Sequence, residues 1–151
     1  MAIIAERDRQ TITQMFDENL TEPVRMVYFT VPKSMIYVPG RAECETCDDV
    51  QKLMEEISSF SDKLSLEVHN LQQERDEAAK YGVDRVPALV LEGQSKGRVR
   101  FYGAPTGYEF STLIQDIQVV SKGEPVLSEA TKDALGQITD PIHIRVFVTP
   151  T

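Results

Sequence analysis

The residues best placed to do chemistry are two thiols, Cys44 and Cys47, in the run Cys44-Glu45-Thr46-Cys47. Two sulfurs three residues apart at the start of a helix can close a disulfide with little backbone movement. Free N–H groups and the macrodipole at a helix N-terminus stabilise an anion. They lower a thiol pKa from about 8.5 and make the thiolate a nucleophile at neutral pH. The spacing therefore predicts thiol–disulfide exchange. Cys44, as thiolate, attacks a substrate disulfide and forms a mixed disulfide. Cys47, further along the helix and buried, attacks Cys44 and releases reduced substrate.

The neighbours of the pair adjust this chemistry. Glu45, Asp48 and Asp49 put carboxylates within a turn of the thiols. At about 8 Å and an effective dielectric near ~40, one charge acts by roughly 1 kcal/mol, under one pKa unit. The carboxylates oppose the helix dipole, so a less acidic Cys44 and a more reducing couple are expected than for a strongly oxidising pair.

Pro87, in Arg85-Val86-Pro87-Ala88, is a second candidate element. Proline is tolerated at the first residue of a strand. A cis Val86–Pro87 bond is expected, which would free the Val86 backbone to pair with an extended substrate chain beside Cys44. Val86 and Pro87 are thus candidate substrate-binding residues.

Other readings of the pair stay open. Cys-x-x-Cys is also half of a zinc site, which needs two further ligands. The histidines available are His69 and His143, far apart in sequence and without helical spacing. Two purely structural cysteines, or a domain that docks partners without catalysis, are the remaining alternatives. No metal and no cofactor is expected.

The elements around these residues follow from periodicity. Ile3 to about Asn19 reads as a helix, with Ile4, Ile12, Met15 and Phe16 on one face. Val24–Thr30 is rich in β-formers and reads as a strand. Val31–Glu43 carries Pro32, Pro39 and Gly40 and reads as a loop, whose apolar Met35–Val38 could serve a substrate groove or a dimer contact. A helix is predicted from about Cys44, with Val50, Leu53, Met54, Ile57 and Phe60 inward. Leu64–His69 alternates as a strand, and Gln72–Tyr81 is a short helix ended by Gly82 in a left-handed cap. Val86–Leu91 and Val99–Gly103 form a hairpin across a Gly93–Gly97 turn. Phe110, Leu113, Ile114 and Ile117 mark a helix to about Ser121. Parallel strands joined by a crossover helix, then an antiparallel pair, give an α/β thioredoxin-like order. The expected architecture is a mixed central sheet flanked by helices, with an extra helix in front.

Composition bounds the partners. The chain has 151 residues, 24 acidic and 16 basic, for a formal net charge of −8. A nucleic-acid binder needs a basic face, so that class is disfavoured. No apolar run reaches the roughly 18–20 residues of a membrane span, and the N-terminus turns charged before a signal core could form. Residence in the cytoplasm is expected, where paired cysteines are more often catalytic or metal-binding than structural.

Together, Cys44-Glu45-Thr46-Cys47, Tyr81-Gly82-Val83-Asp84-Arg85-Val86-Pro87-Ala88 and Tyr102-Gly103-Ala104-Pro105-Thr106-Gly107-Tyr108-Glu109-Phe110 resemble the protein disulfide oxidoreductases. That glutaredoxin-like family fuses two thioredoxin-fold units, each with its own Cys-x-x-Cys. The resemblance is to the N-terminal unit. It implies Cys44 as nucleophile, Cys47 as resolving thiol and Pro87 as a cis proline facing them. It implies protein disulfides or dithiols as substrates and a reductase as a partner. Glu45 and Thr46 replace the aromatic or proline residues common between the cysteines, so with Asp48 they are expected to modulate potential and substrate choice. The Val31–Glu43 stretch is longer than the family's link.

One such unit accounts for residues 1–123. Residues 124–151 add a helix, about Ser128 to Ile138, and an apolar strand, Ile142–Val148, expected to open a second unit whose remainder is missing. That strand then needs a partner, and it or the 31–43 loop offers a route to a homodimer.

Overall fold

A computed structural model describes residues 3–32, 44–95 and 97–147. Helix α1 (Glu6–Asn19) precedes strand β1 (Val24–Thr30). Helix α2 (Cys47–Ser58) then leads to strand β2 (Leu64–Asn70), and helix α3 (Arg75–Tyr81) to the hairpin of β3 (Ala88–Glu92) and β4 (Val99–Tyr102). Helix α4 (Tyr108–Lys122) and helix α5 (Glu129–Gly136) follow. The sheet has four strands in the order β2-β1-β3-β4. β1 pairs parallel with β2 and antiparallel with β3, and β3 pairs antiparallel with β4. The expected α/β thioredoxin-like architecture is the one observed.

The two central strands are covered on both faces, which explains their near-continuous apolar sequences. Period-2 alternation sends Val24, Met26 and Tyr28 of β1 to one face. There they meet Ile12 and Phe16 of α1, Val50, Met54 and Ile57 of α2, and Leu113 and Ile117 of α4. Val27 and Phe29 point to the other face, against Ala78 and Tyr81 of α3. Fully burying a Leu, Ile or Phe side chain contributes roughly 1.5–3 kcal/mol, so the larger first core dominates stability. Ser121 is fully buried between α4 and the turn before β1. Its hydroxyl accepts from the backbone N–H groups of Thr21 and Glu22, each at 3.0 Å, and donates to the Glu22 carbonyl at 2.6 Å.

Two helices end as glycine-capped turns. Gly82 closes α3 in the left-handed region at φ 65°, as expected. Gly123 closes α4 at φ 72°, where a Cβ would meet Gln94 Cβ at 2.7 Å. Only glycine suits both the backbone conformation and that close approach.

Several boundaries differ from the sequence expectation. α1 begins at Glu6 and not Ile3, and α3 at Arg75 and not Gln72. Asn70 accounts for the second shift, because its Oδ1 accepts from the Gln72 N–H at 2.9 Å and holds that residue in a turn. α2 begins at Cys47, with Thr46 as its N-cap and Glu45 and Thr46 in a bend ahead of it. The ladder of β3 begins at Ala88, because Pro87 has no N–H to donate.

Helix α5 is N-capped by Ser128, whose hydroxyl accepts from Thr131 N–H at 3.2 Å, and it buries no residue. Residues 141–147 form no strand, which corrects the expected Ile142–Val148 element over its described part. Ile144 is 80% and Phe147 90% exposed. The alternating apolar sequence suits a strand, but neither edge of the sheet pairs with it, so its backbone groups remain unladdered. The 31–43 loop is described only at Val31 and Pro32, and Met35–Val38 lies outside the described residues. Among the described residues, no helix is long and apolar enough to cross a membrane.

Candidate active site: the Cys44–Cys47 pair

Strand β1 aims its C-terminal end at the N-terminus of α2. Cys44 and Cys47 stand at that junction, joined as a disulfide with S–S 2.07 Å and Cα–Cα 5.4 Å. Cys44 is partly exposed and Cys47 is fully buried. Cys44 precedes the N-cap by two residues, so it sits off the positive end of α2 and not within its first turn. Glu45, Thr46, Asp48 and Asp49 are all exposed around the pair. Asp48 and Asp49 lie in the first turn of α2.

The floor under Cys47 comes from β1. Tyr28 is fully buried, and its hydroxyl donates to the Cys47 carbonyl oxygen at 2.8 Å. Burial pushes the Tyr28 phenol up to about 12; a hydrogen bond from Thr30 works against this and the charge of Asp48 adds to it. The sequence places Tyr28 in a strand and by itself gives it no further role. The available signal is a polar-tipped aromatic in a strand buried on both faces, which normally finds a partner for its hydroxyl.

Val86 and Pro87 reach the same end of the sheet from β3. Phe29 pairs with Ala88, so the two residues before β3 lie beside the end of β1. The Val86–Pro87 bond is cis; Val86 is partly exposed and Pro87 buried. The Pro87 carbonyl accepts from Gly103 N–H at 2.9 Å, tying this segment to the Gly103–Gly107 turn that leads into α4. Topology thus gathers Cys44, Cys47, Val86 and Pro87 at one end of the sheet.

The histidines are elsewhere. His69 lies near the C-terminal end of β2, on the α3 side, stacked on Phe29 with ring centroids 5.3 Å apart, and its Nδ1 lies 2.9 Å from Glu74 Oε1. Phe29 faces away from Tyr28 and Cys47, so His69 lies across the sheet from the thiols. His143 accepts from Arg145 Nε at 3.0 Å in the C-terminal segment. Among the described residues, no three His, Cys, Asp or Glu side chains lie together as a metal-ligand set.

The same architecture occurs in solved structures. A protein disulfide oxidoreductase from Aeropyrum pernix superposes with TM-score 0.72 at 27% identity, over 91% of this chain and 56% of that one. The alkylhydroperoxide reductase protein AhpF of Enterococcus faecalis superposes with TM-score 0.70 at 24% identity, over 89% of this chain and 61% of that one. Among curated proteins, a Bacillus subtilis NADH dehydrogenase is 24% identical over 137 residues, 91% of this chain. The chain spans only 25% of that relative's length. A family model described as "Thioredoxin domain" matches residues 35–115, and by that match this chain belongs to the thioredoxin-domain family.

Proposed function

We propose that the chain is a protein thiol–disulfide oxidoreductase working through Cys44 and Cys47. The observation that carries this reading is the asymmetry of the bonded pair: a partly exposed Cys44 ahead of α2 and a buried Cys47 as its first residue. A substrate can reach one sulfur, and the other is protected until it is needed. In the reducing direction, Cys44 thiolate attacks a substrate disulfide, forms a mixed disulfide and expels one substrate thiolate. Cys47 thiolate then attacks Cys44 Sγ, closing the internal disulfide and expelling the second substrate thiolate. Two electrons pass from the dithiol to the substrate, and the expelled thiolates take up the protons. Val86 and Pro87 would hold the substrate chain beside Cys44, with Glu45, Thr46 and Asp48 tuning the pair.

The electron source on this reading is a reductase, separate or joined to the same polypeptide. Support comes from the relatives described as a reductase and a dehydrogenase, of which this chain matches only a part. Residues 1–123 are the working unit. Residues 124–151 link to a second thioredoxin-like unit or to a second copy, and the exposed Ile142, Ile144, Val146 and Phe147 favour a covering partner. The pair would act in the reducing cytoplasm.

Reduction of insulin disulfides with dithiothreitol as the electron source tests this. The wild-type chain is expected to accelerate precipitation of the insulin B chain. Cys47→Ser should trap a mixed disulfide, and Cys44→Ser should trap none. Equal rates for the wild type and Cys44→Ser would end the proposal.

A further inference from the structure

The reaction proposed above leaves one demand unassigned: something must hold the buried Cys47 sulfur in line with Cys44 once the disulfide has opened. We infer that Tyr28 is a positioning residue for Cys47, acting through its backbone carbonyl, and this rests on the exchange reading. The hydroxyl of Tyr28 meets the Cys47 carbonyl oxygen at 2.8 Å inside the protein, 19 residues away in sequence. Tyr28 is itself fixed, since β1 pairs on both sides at this residue, with Val68 of β2 and Leu89 of β3. A chain of contacts therefore runs from the most constrained strand to the backbone of the resolving cysteine.

The helix's own bonding leaves the N–H side of Cys47 without a partner. Cys47 is the first residue of α2, and the Thr46 cap supplies no side-chain hydrogen bond there. Helix ends fray because their terminal backbone groups lack partners. Tyr28 supplies an anchor at the point where fraying would displace the sulfur. The net stability of one such hydrogen bond is only about 1 kcal/mol. A misplacement of about 1 Å, in contrast, can slow a positioned reaction by ~100-fold. Loss of the hydroxyl should therefore affect resolution more than folding.

The two exchange steps can be read separately with dithio-bis-nitrobenzoate, an aromatic disulfide whose released thiolate absorbs visible light. Mixed with the fully reduced chain, it releases one thiolate when Cys44 attacks and a second when Cys47 resolves. Tyr28→Phe keeps the ring and removes the hydroxyl. The expected result is a first phase within about twofold of wild type and a second phase slowed by about tenfold. A second phase unchanged from wild type, or both phases slowed alike, overturns the inference while leaving the exchange reading intact. Failure of the wild-type chain to release the second thiolate overturns the exchange reading, and this inference with it. Should Tyr28→Phe not fold, nuclear magnetic resonance of the reduced wild-type chain is read instead. A Tyr28 hydroxyl proton protected from solvent exchange is expected there, and one that exchanges freely overturns the inference.

Discussion

Arg100 Nε donates to the carbonyl oxygen of Tyr81 at 2.7 Å. It is one of three such contacts in a row. Arg98 Nη1 reaches the Lys80 carbonyl at 2.7 Å and Tyr102 Oη the Gly82 carbonyl at 3.3 Å. Alternate side chains in β4 and just ahead of it therefore serve three consecutive carbonyls at the C-terminus of α3. These carbonyls have no partner within the helix, and cationic donors also suit the negative end of its dipole. The chain leaves this clasp for Val86 and Pro87, so the clasp sets where that segment starts. Arg100→Met should keep much of the packing and remove the hydrogen bond. A loss of about 1 kcal/mol in urea unfolding is expected, with an unchanged slope. A loss below about 0.3 kcal/mol would show that water replaces the guanidinium at no cost.

That clasp is not legible in the sequence, and the reason is general. Arg98, Arg100 and Tyr102 alternate into and along a strand, but nothing local says that α3 ends against them. Val24–Thr30 is legible to the residue, because a seven-residue run of β-formers leaves no competing pattern. Gly82 is legible as a cap because glycine follows the last apolar residue of a short helix. The cysteine pair is legible from spacing and position, but the start of α2 at Cys47 is not, since a bend over Glu45–Thr46 carries no periodic signal. The apolar alternation after Pro141 predicts a strand that does not form; alternation reports which residues suit a sheet, and not whether an edge is available to pair with.

Core and tail should respond oppositely to truncation. Ile117 of α4 is fully buried in the larger core, whereas Phe147 is 90% exposed. Ile117→Ala is expected to cost about 3 kcal/mol, combining lost transfer energy with a residual cavity. Phe147→Ser is expected to change stability by less than about 0.5 kcal/mol. Its effect should fall on association instead, since a contiguous exposed apolar segment marks an interaction surface. Urea unfolding and sedimentation of the two variants beside wild type check both halves. A destabilised Phe147→Ser monomer would mean that the tail packs on its own domain.

On the exchange reading, two opposing fields should set the acidity of Cys44 in the reduced chain. The positive end of α2 favours the thiolate, while Glu45 and Asp48 disfavour it from exposed positions nearby. Titration of the reduced chain by thiolate ultraviolet absorbance should place Cys44 above about 5. Glu45→Gln combined with Asp48→Asn removes two negative charges and should lower that value by up to ~1 unit. Added salt should shrink the difference between the two proteins, because exposed charges are screened. A wild-type value below about 5, or a variant value that rises, contradicts this account of the site.

Tyr28 provides a test at alkaline pH. Burial, more than any neighbour, holds its phenol up to about 12, above its ordinary 10.0. The unfolded chain releases this proton near 10.0, and the folded chain keeps it to about 12. The stabilisation is therefore fully present below the unfolded value and is lost as pH rises through the folded one. Tyr81 shifts in the same direction, first through burial and then through the charge of Glu92. The wild-type slope alone would mix the two, so the comparison is with Tyr28→Phe. Urea unfolding of both proteins at steps from neutral pH upward should show the wild type losing stability more steeply between 10.0 and about 12. Parallel curves across that interval would mean that Tyr28 titrates as though it were solvent-exposed. In that case its hydroxyl would not be held against the Cys47 carbonyl in solution.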